Sequence, residues 1–177
     1  MLVIDVQPRF VDSMAGDPEP VLVRIEQLIR LAETLDLPII ATLEEPVTAK
    51  GELPARLRRV FPGQGRILRK WTYDCCAEPE IEAAIRGSGR AQMAVAGAEW
   101  DVCVLQTVLS LLDMGLEVFL LEDCLFSSTA DIEAARERMR RAGAVPLTYK
   151  TLFYELLGRV QTEALPAGLL SPMELPP

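Results

Sequence analysis

Histidine is missing from all 177 residues of this chain. That absence excludes a cysteine–histidine dyad and any histidine-ligated metal, so a catalytic base has to be a carboxylate, a lysine or a tyrosine. Long hydrophobic runs are missing too. No stretch approaches the roughly 20 apolar residues that cross a bilayer, and Met1-Leu2-Val3-Ile4 has neither the basic flank nor the length of a signal peptide. Positive charge is in deficit: 18 Lys and Arg against 26 Asp and Glu leave a net charge of -8. Neither a nucleic-acid backbone nor an anionic membrane suits that balance, which leaves a cytoplasmic protein with a small-molecule partner as the expectation. Cysteine is sparse, at positions 75, 76, 103 and 124 with no CxxC pair. A zinc knuckle or thioredoxin-type motif is therefore unsupported, and in a reducing compartment these are free thiols, although the adjacent Cys75 and Cys76 leave a strained vicinal disulfide open.

What is present reads as one globular unit. Half of the residues are apolar, enough for one sizeable core and a single domain over 1–177. Strand and helix patterns alternate along it. Leu2-Val3-Ile4 is a short apolar run ending in Asp5, and Val21, Ile25, Leu28, Ile29, Ala32 and Leu35 then recur on one helical face. Residues 38–42 form a second strand, followed by a long excursion from Glu44 to Gly65 with one short helix around 55–59. Residues 66–69 lead to Lys70, 78–86 are helical, and 91–96 form a buried strand closed by Gly97. A helix over 101–114, a strand over 117–121, a helix ending near Gly143, an edge strand over 145–147 and a helix from about 151 to 158 complete the pattern. Strands apolar on both faces and alternating with helices predict a parallel sheet covered on both sides, with ligands beyond the strands' carboxyl ends. The tail over 165–177 carries four prolines. It is expected to lie along the surface or to reach a neighbouring subunit.

The segment from Val95 to Thr107 is the most informative. It reads as a buried strand, a glycine turn, and a cysteine in the first turn of a helix, where main-chain amides and the helix dipole favour a thiolate. Asp5 ends the first strand, Lys70 ends the third, and Cys103 follows the fourth. A carboxylate, a cation and a thiol on one rim make a coherent nucleophilic site. Taken singly, each has an ordinary reading: a turn cap, a solvated charge and a small buried apolar residue.

Val3-Ile4-Asp5-Val6-Gln7 with Phe10, Lys70 within Arg69-Lys70-Trp71-Thr72-Tyr73, and Val95-Ala96-Gly97 through Cys103-Val104-Leu105-Gln106-Thr107 together resemble the isochorismatase-like cysteine hydrolases. The match continues through Leu111 to Gly115 and Val118 to Asp123. The resemblance implies an α/β three-layer α-β-α sandwich with an open, mostly parallel, six-stranded Rossmann-like sheet. It further implies Asp5 as general base, Lys70 as its cationic partner and Cys103 as nucleophile toward a small amide, carbamoyl or related acyl substrate, through a thioester. A cis peptide between Ala98 and Glu99 is also implied, with the backbone amides of Glu99 and Cys103 as an oxyanion hole. No cofactor and no metal are implied for the branch that this chain resembles: nicotinamidases of the family bind zinc through histidines, and isochorismatases proper lack the cysteine. Homo-oligomers are usual in the family. This chain opens almost directly on its first strand, without the family's usual short leader. Phe10, Trp71, Tyr73 and Trp100 adjoin the site elements and are the candidate pocket aromatics, while Glu44 and Glu45 facing the pocket would favour a neutral or cationic substrate. Two other readings stay open: an inactive relative acting in binding or assembly, and a thiol redox protein using Cys103.

Overall fold

The computed structural model describes residues 1–160 and 164–176. Its centre is one six-stranded sheet built from β1 (Leu2–Ile4), β2 (Ile40–Glu44), β3 (Arg66–Lys70), β4 (Gln92–Ala98), β5 (Glu117–Phe126) and β6 (Val145–Leu147). The strand order is β3-β2-β1-β4-β5-β6, and every neighbouring pair is parallel. Parallel neighbours need crossovers, and helices supply them. These are α1 (Pro8–Asp12) and α2 (Pro18–Thr34) after β1, and α3 (Val47–Lys50) and α4 (Ala55–Val60) after β2. After them come α5 (Pro79–Gly87), α6 (Leu105–Asp113), α7 (Glu133–Ala142) and α8 (Tyr149–Leu157).

The inner strands are buried on both faces, which is why β1, β2 and β4 are largely apolar rather than alternating, while the edge strands β3 and β6 expose Arg66, Arg69 and Val145. One core cluster gathers Val3, Ala41, Leu43 and Ala96 with Ile25, Leu28 and Ile29 of α2 and Phe153 of α8. The other gathers Leu2, Ile4, Val95 and Leu120 with Ile81 and Ile85 of α5 and Val108 and Leu111 of α6. Alternate residues of each strand thus feed opposite layers, giving the three-layer α/β sandwich.

Helix boundaries follow local chemistry. Asp17 caps α2 by accepting from the Glu19 amide at 3.0 Å, and Pro18 sits in its first turn. Thr148 caps α8, while Gly143 and Gly158 end α7 and α8 in left-handed geometry. α3 lies in the excursion read from sequence as irregular, and α1 falls between the first strand and helix where no element was expected; at four and five residues they are too short to leave a periodic signal. The second strand starts and ends two residues later than its apolar run suggests, so that Glu44 belongs to the sheet. The tail does lie along the surface. Gln27 of α2 holds it, donating to the Gly168 carbonyl at 3.4 Å and accepting from the Leu170 amide at 2.9 Å, and Arg24 donates to the Pro176 carbonyl at 2.7 Å. Residues Pro172–Glu174 form a single 3-10 turn within it, and Pro177 lies outside the described residues. Among the described residues no helix is long and apolar enough to cross a membrane.

Gly97 is the position where backbone freedom is required. It pairs with Ile4 in the β1–β4 register at φ 109°, and a Cβ there would collide with the Ile4 carbonyl and amide. The glycine lets β4 close on β1 at the point where the chain turns toward the cysteine. Gly97→Ala should therefore destabilise the fold by about 3 kcal/mol or more, through both the left-handed φ and the clash. Urea unfolding checks this, and an unchanged midpoint would contradict it.

Candidate active site

The order β3-β2-β1-β4 brings four chain segments together at one edge of the sheet. Lys70 ends β3, Glu44 ends β2 directly opposite it in register, Asp5 follows β1, and Cys103 follows β4 in a π-helical turn, Trp100–Val104, leading into α6. Crossovers leave β1 and β4 in opposite directions, so their carboxyl ends border the switch point where open α/β sheets bind ligands. A π turn in place of regular helix is itself common at functional sites.

Asp5, Lys70, Glu44 and Cys103 are all buried, Cys103 with 3% of its surface exposed. Lys70 Nζ lies 2.6 Å from Asp5 Oδ2, 3.3 Å from Glu44 Oε2 and 3.5 Å from Cys103 Sγ, and it donates to the Thr72 carbonyl at 3.0 Å. Asp5 adopts a left-handed φ of 48°, a conformation that aspartate tolerates better than most residues. Its amide donates to the Thr42 carbonyl at 3.1 Å, and Thr42 Oγ1 donates to Asp5 Oδ1 at 2.8 Å. The structure thus brings together all three residues that the sequence singled out for chemistry.

It also adds Lys50 and Gln7, and it makes Glu44, read from sequence only as a charge that could face the pocket, a direct partner of the thiol. Cys103 Sγ donates to Glu44 Oε2 at 3.2 Å, and Lys50 Nζ of α3 reaches Glu44 Oε1 at 2.5 Å. Gln7 clamps the Glu44 backbone, accepting from its amide at 2.7 Å and donating to its carbonyl at 3.1 Å. The available signal was an acidic residue at the end of an apolar strand, which a single sequence does not separate from a solvated loop.

Electrostatics follow from this packing. Burial pushes the Cys103 thiol well above its ordinary pKa; Asp5 and Glu44 push in the same direction, and Lys70 opposes them. Desolvation thus opposes the helix terminus, which favours thiolate, and Cys103 stands as a hydrogen-bond donor to Glu44, as a thiol does. Burial alone would neutralise Lys70, yet the Asp5 charge holds its ammonium above the usual lysine range. Burial also raises the Asp5 carboxyl, against the pull of Lys70 and Thr42. Glu44 is opposed by burial as well, but bonds from Lys50 and Cys103 with the Lys70 charge keep it below the ordinary carboxylate range. One ligand-type atom from each of Asp5, Glu44 and Cys103 falls within 4.8 Å of the others. The Lys70 ammonium touches all three, so the cation of this cluster is the lysine itself.

Around this centre the Ala98–Glu99 peptide bond is cis, and the Glu99 carbonyl accepts from the Val102 and Val104 amides at 3.2 and 3.0 Å. Of the four aromatics, Trp71 and Tyr73 flank Thr72 and are 74% and 56% exposed. Phe10 is half-buried against the first core cluster. Trp100 is buried in the second cluster, its ring beneath the Arg136 guanidinium at 5.4 Å. All four cysteines are free, and Cys75 sits beneath the site, its amide donating to Thr107 Oγ1 at 3.0 Å. A cavity of about 720 Å³ opens at the opposite edge, where Pro38, Gln92, Glu117 and Phe119 mark the amino ends of strands. It shares no residue with the cluster.

The isochorismatase domain model matches residues 1–151 of the chain. The chain belongs to the isochorismatase-domain family. It is 30% identical over 163 residues to isochorismatase domain-containing protein 2 of Xenopus laevis, covering 89% of this chain and 75% of that one. Among solved structures, the MAR1 ribonuclease of Caenorhabditis elegans superposes with a TM-score of 0.83 at 28% identity, covering 89% of this chain and 80% of that one. The YcaC gene product of Escherichia coli, described as an octameric hydrolase of unknown specificity, superposes with a TM-score of 0.84 at 26% identity over 89% and 78% of the two chains. The open parallel sheet flanked by helices is thus the isochorismatase-family hydrolase fold.

Two measurements test the electrostatics. Lys70→Met leaves two buried carboxylates short of their cation and should cost about 3–5 kcal/mol in urea unfolding, with Asp5→Asn in the same chain restoring a good part. Cys103 alkylation by iodoacetamide, mapped by mass, should reach half its maximal rate above the ordinary thiol value of about 8.5. A midpoint below it would mean that the helix terminus prevails over burial.

Proposed function

We propose that the protein is a cysteine hydrolase that cleaves a small amide, carbamoyl or related acyl substrate through a thioester. Cys103 is the nucleophile, Asp5 the general base of turnover, and Lys70 the cation that holds both in place. The observation that carries this reading is the buried contact between Lys70 Nζ and both Asp5 Oδ2 and Cys103 Sγ, at 2.6 and 3.5 Å, on the switch-point edge of the sheet. Sulfur attack on the carbonyl carbon pushes charge onto the carbonyl oxygen, where the Glu99 and Cys103 amides beside the cis peptide are proposed to receive it. Departure of the amine leaves an acyl-enzyme, and water releases the acid. A site so enclosed suits a compact substrate, with Trp71 and Tyr73 at its rim.

A ribonuclease activity, which the C. elegans title states for that protein, fits this chain less well. A net charge of -8 and two carboxylates at the centre repel a phosphodiester backbone, and the chain has no histidine for acid–base work on it. A binding role without turnover, or redox chemistry at Cys103, would need the Lys70–Asp5 pair for structure but not the contact of Lys70 with Cys103 Sγ.

Cys103→Ala should abolish cleavage across a panel of small amides while leaving the urea midpoint within about 1 kcal/mol, since a small buried group is lost. Full activity in that variant would overturn the nucleophile. A chelator should leave the rate unchanged, because a lysine supplies the cation; loss restored by zinc would contradict this. The octameric relative supports a homo-oligomer, with the exposed Trp71 and Tyr73 as apolar surface beside the site. Sedimentation at micromolar concentration should show a species heavier than the 19.6 kDa chain, and a monomer throughout would remove the assembly.

A further inference from the structure

Glu44 lies outside the Asp5, Lys70 and Cys103 set, yet it is the carboxylate that the thiol touches. Cys103 Sγ donates to Glu44 Oε2 at 3.2 Å, and the same oxygen lies 3.3 Å from Lys70 Nζ. Asp5 accepts from Thr42 at Oδ1 and pairs with Lys70 through Oδ2, so the hydrogen bond of the sulfur goes to Glu44. Glu44 is also fixed from behind. Gln7 clamps its backbone, and Lys50 Nζ holds Oε1 at 2.5 Å while donating to the Glu45 carbonyl at 2.6 Å. A carboxylate buried at such a site, aimed at the sulfur and charge-balanced on its far oxygen, is placed to move a proton.

Resting on the cysteine-hydrolase reading, we infer that Glu44 is a fourth catalytic residue, the acceptor of the Cys103 proton, with its basicity set by Lys50. As the sulfur attacks, the S–H bond breaks and an O–H bond forms on Glu44 Oε2. The sulfur pair makes the C–S bond, and the carbonyl π pair moves to oxygen. When that pair returns, the C–N bond breaks, and the departing nitrogen takes the proton from Glu44, which is again a carboxylate. Asp5 is left for the second half: it takes a proton from water as the hydroxyl attacks the thioester, then returns it to the departing thiolate. The sum is one amide and one water converted to an acid and an amine, with every residue restored. Lys70 keeps its proton throughout and stabilises sulfur and carboxylates by charge.

The test needs no substrate. A thiol beside a carboxylate and a thiolate beside a carboxylic acid carry the same number of protons, so their ratio does not depend on pH between the two titrations of the pair. Iodoacetamide alkylation of Cys103, mapped by mass on the full chain, should therefore show a pH-independent plateau above the first titration, up to the pH at which the doubly deprotonated pair becomes the larger source of thiolate. Glu44→Gln should abolish the plateau, leaving a rate that climbs about tenfold per pH unit as for an isolated thiol. Asp5→Asn should keep it. Lys50→Met makes Glu44 more basic and should raise the plateau by about threefold or more, and this variant carries the test if Glu44→Gln fails to fold. A plateau that survives Glu44→Gln but vanishes in Asp5→Asn, one unmoved by Lys50→Met, or a wild type with no plateau overturns the inference and leaves the nucleophile standing. A folded wild type whose Cys103 resists alkylation at every pH overturns the nucleophile itself, and the inference with it.

Discussion

The structure depends on one buried ammonium. Lys70 Nζ has no exposed surface, and a lone charge in such a place is either neutralised or surrounded by opposite charge. Here Asp5 and Glu44 surround it, and the sheet order is what allows this. Adjacent parallel strands lie about 4.8 Å apart, so a residue ending β3 must reach across β2 to meet one at the end of β1. A flexible four-carbon stem with a compact head does so, while a planar guanidinium would impose its own fork geometry on the partners. Asp5 in turn leans toward the lysine from a left-handed backbone, fastened to β2 through Thr42. The site is thus a row of strand ends bound across the sheet by a single cation.

That row sets the state of the thiol. A helix terminus and a neighbouring ammonium stabilise thiolate, but both act in a place from which water is excluded and where two carboxylates already claim the lysine charge. Desolvation and like-charge repulsion prevail, and the sulfur rests protonated. A sulfur in this state reacts through the small share of its population that has lost the proton, and Glu44 Oε2, 3.2 Å away, is the acceptor within reach. Proton transfer along a fixed hydrogen bond then matters more than a permanently depressed pKa. Two acidic groups also balance the lysine charge together, so that Glu44 can bond the sulfur while Asp5 holds the ammonium at 2.6 Å.

Much of this was legible in the amino-acid sequence. Asp5, Lys70 and Cys103 each end or follow an apolar run, and the alternation of runs with helical periodicity yields a parallel sheet whose carboxyl ends must gather them. Glu44 was legible only as a charge that could face the pocket, and its contact with the thiol was not, because that depends on β2 extending two residues past the apolar run and on register with β3. Register is a tertiary fact. Charge at a strand end looks the same in sequence whether it faces water or a buried lysine. Proximity in sequence also told little about the aromatics. Trp100 adjoins the cysteine turn, but the turn directs its ring into the core beneath Arg136, whereas Trp71 and Tyr73 follow a strand end and project outward.

The β2–β3 connection has a double part in this arrangement. It joins the two strands whose ends carry Glu44 and Lys70, and through Lys50 it also supplies a charge to the outer oxygen of Glu44. Lys50 ends α3, a helix of four residues, and its neighbour Gly51 is held by Gln7 Nε2 at 2.7 Å from the carbonyl. Gln7 therefore ties the loop to the residue following Asp5 and Val6, so the two carboxylates share one scaffold. A change of loop shape that moved Lys50 would alter the basicity of Glu44 while leaving Asp5, Lys70 and Cys103 in place. The shape of the loop and the charge around the sulfur are, on this geometry, coupled through Gln7, Glu44 and Lys50.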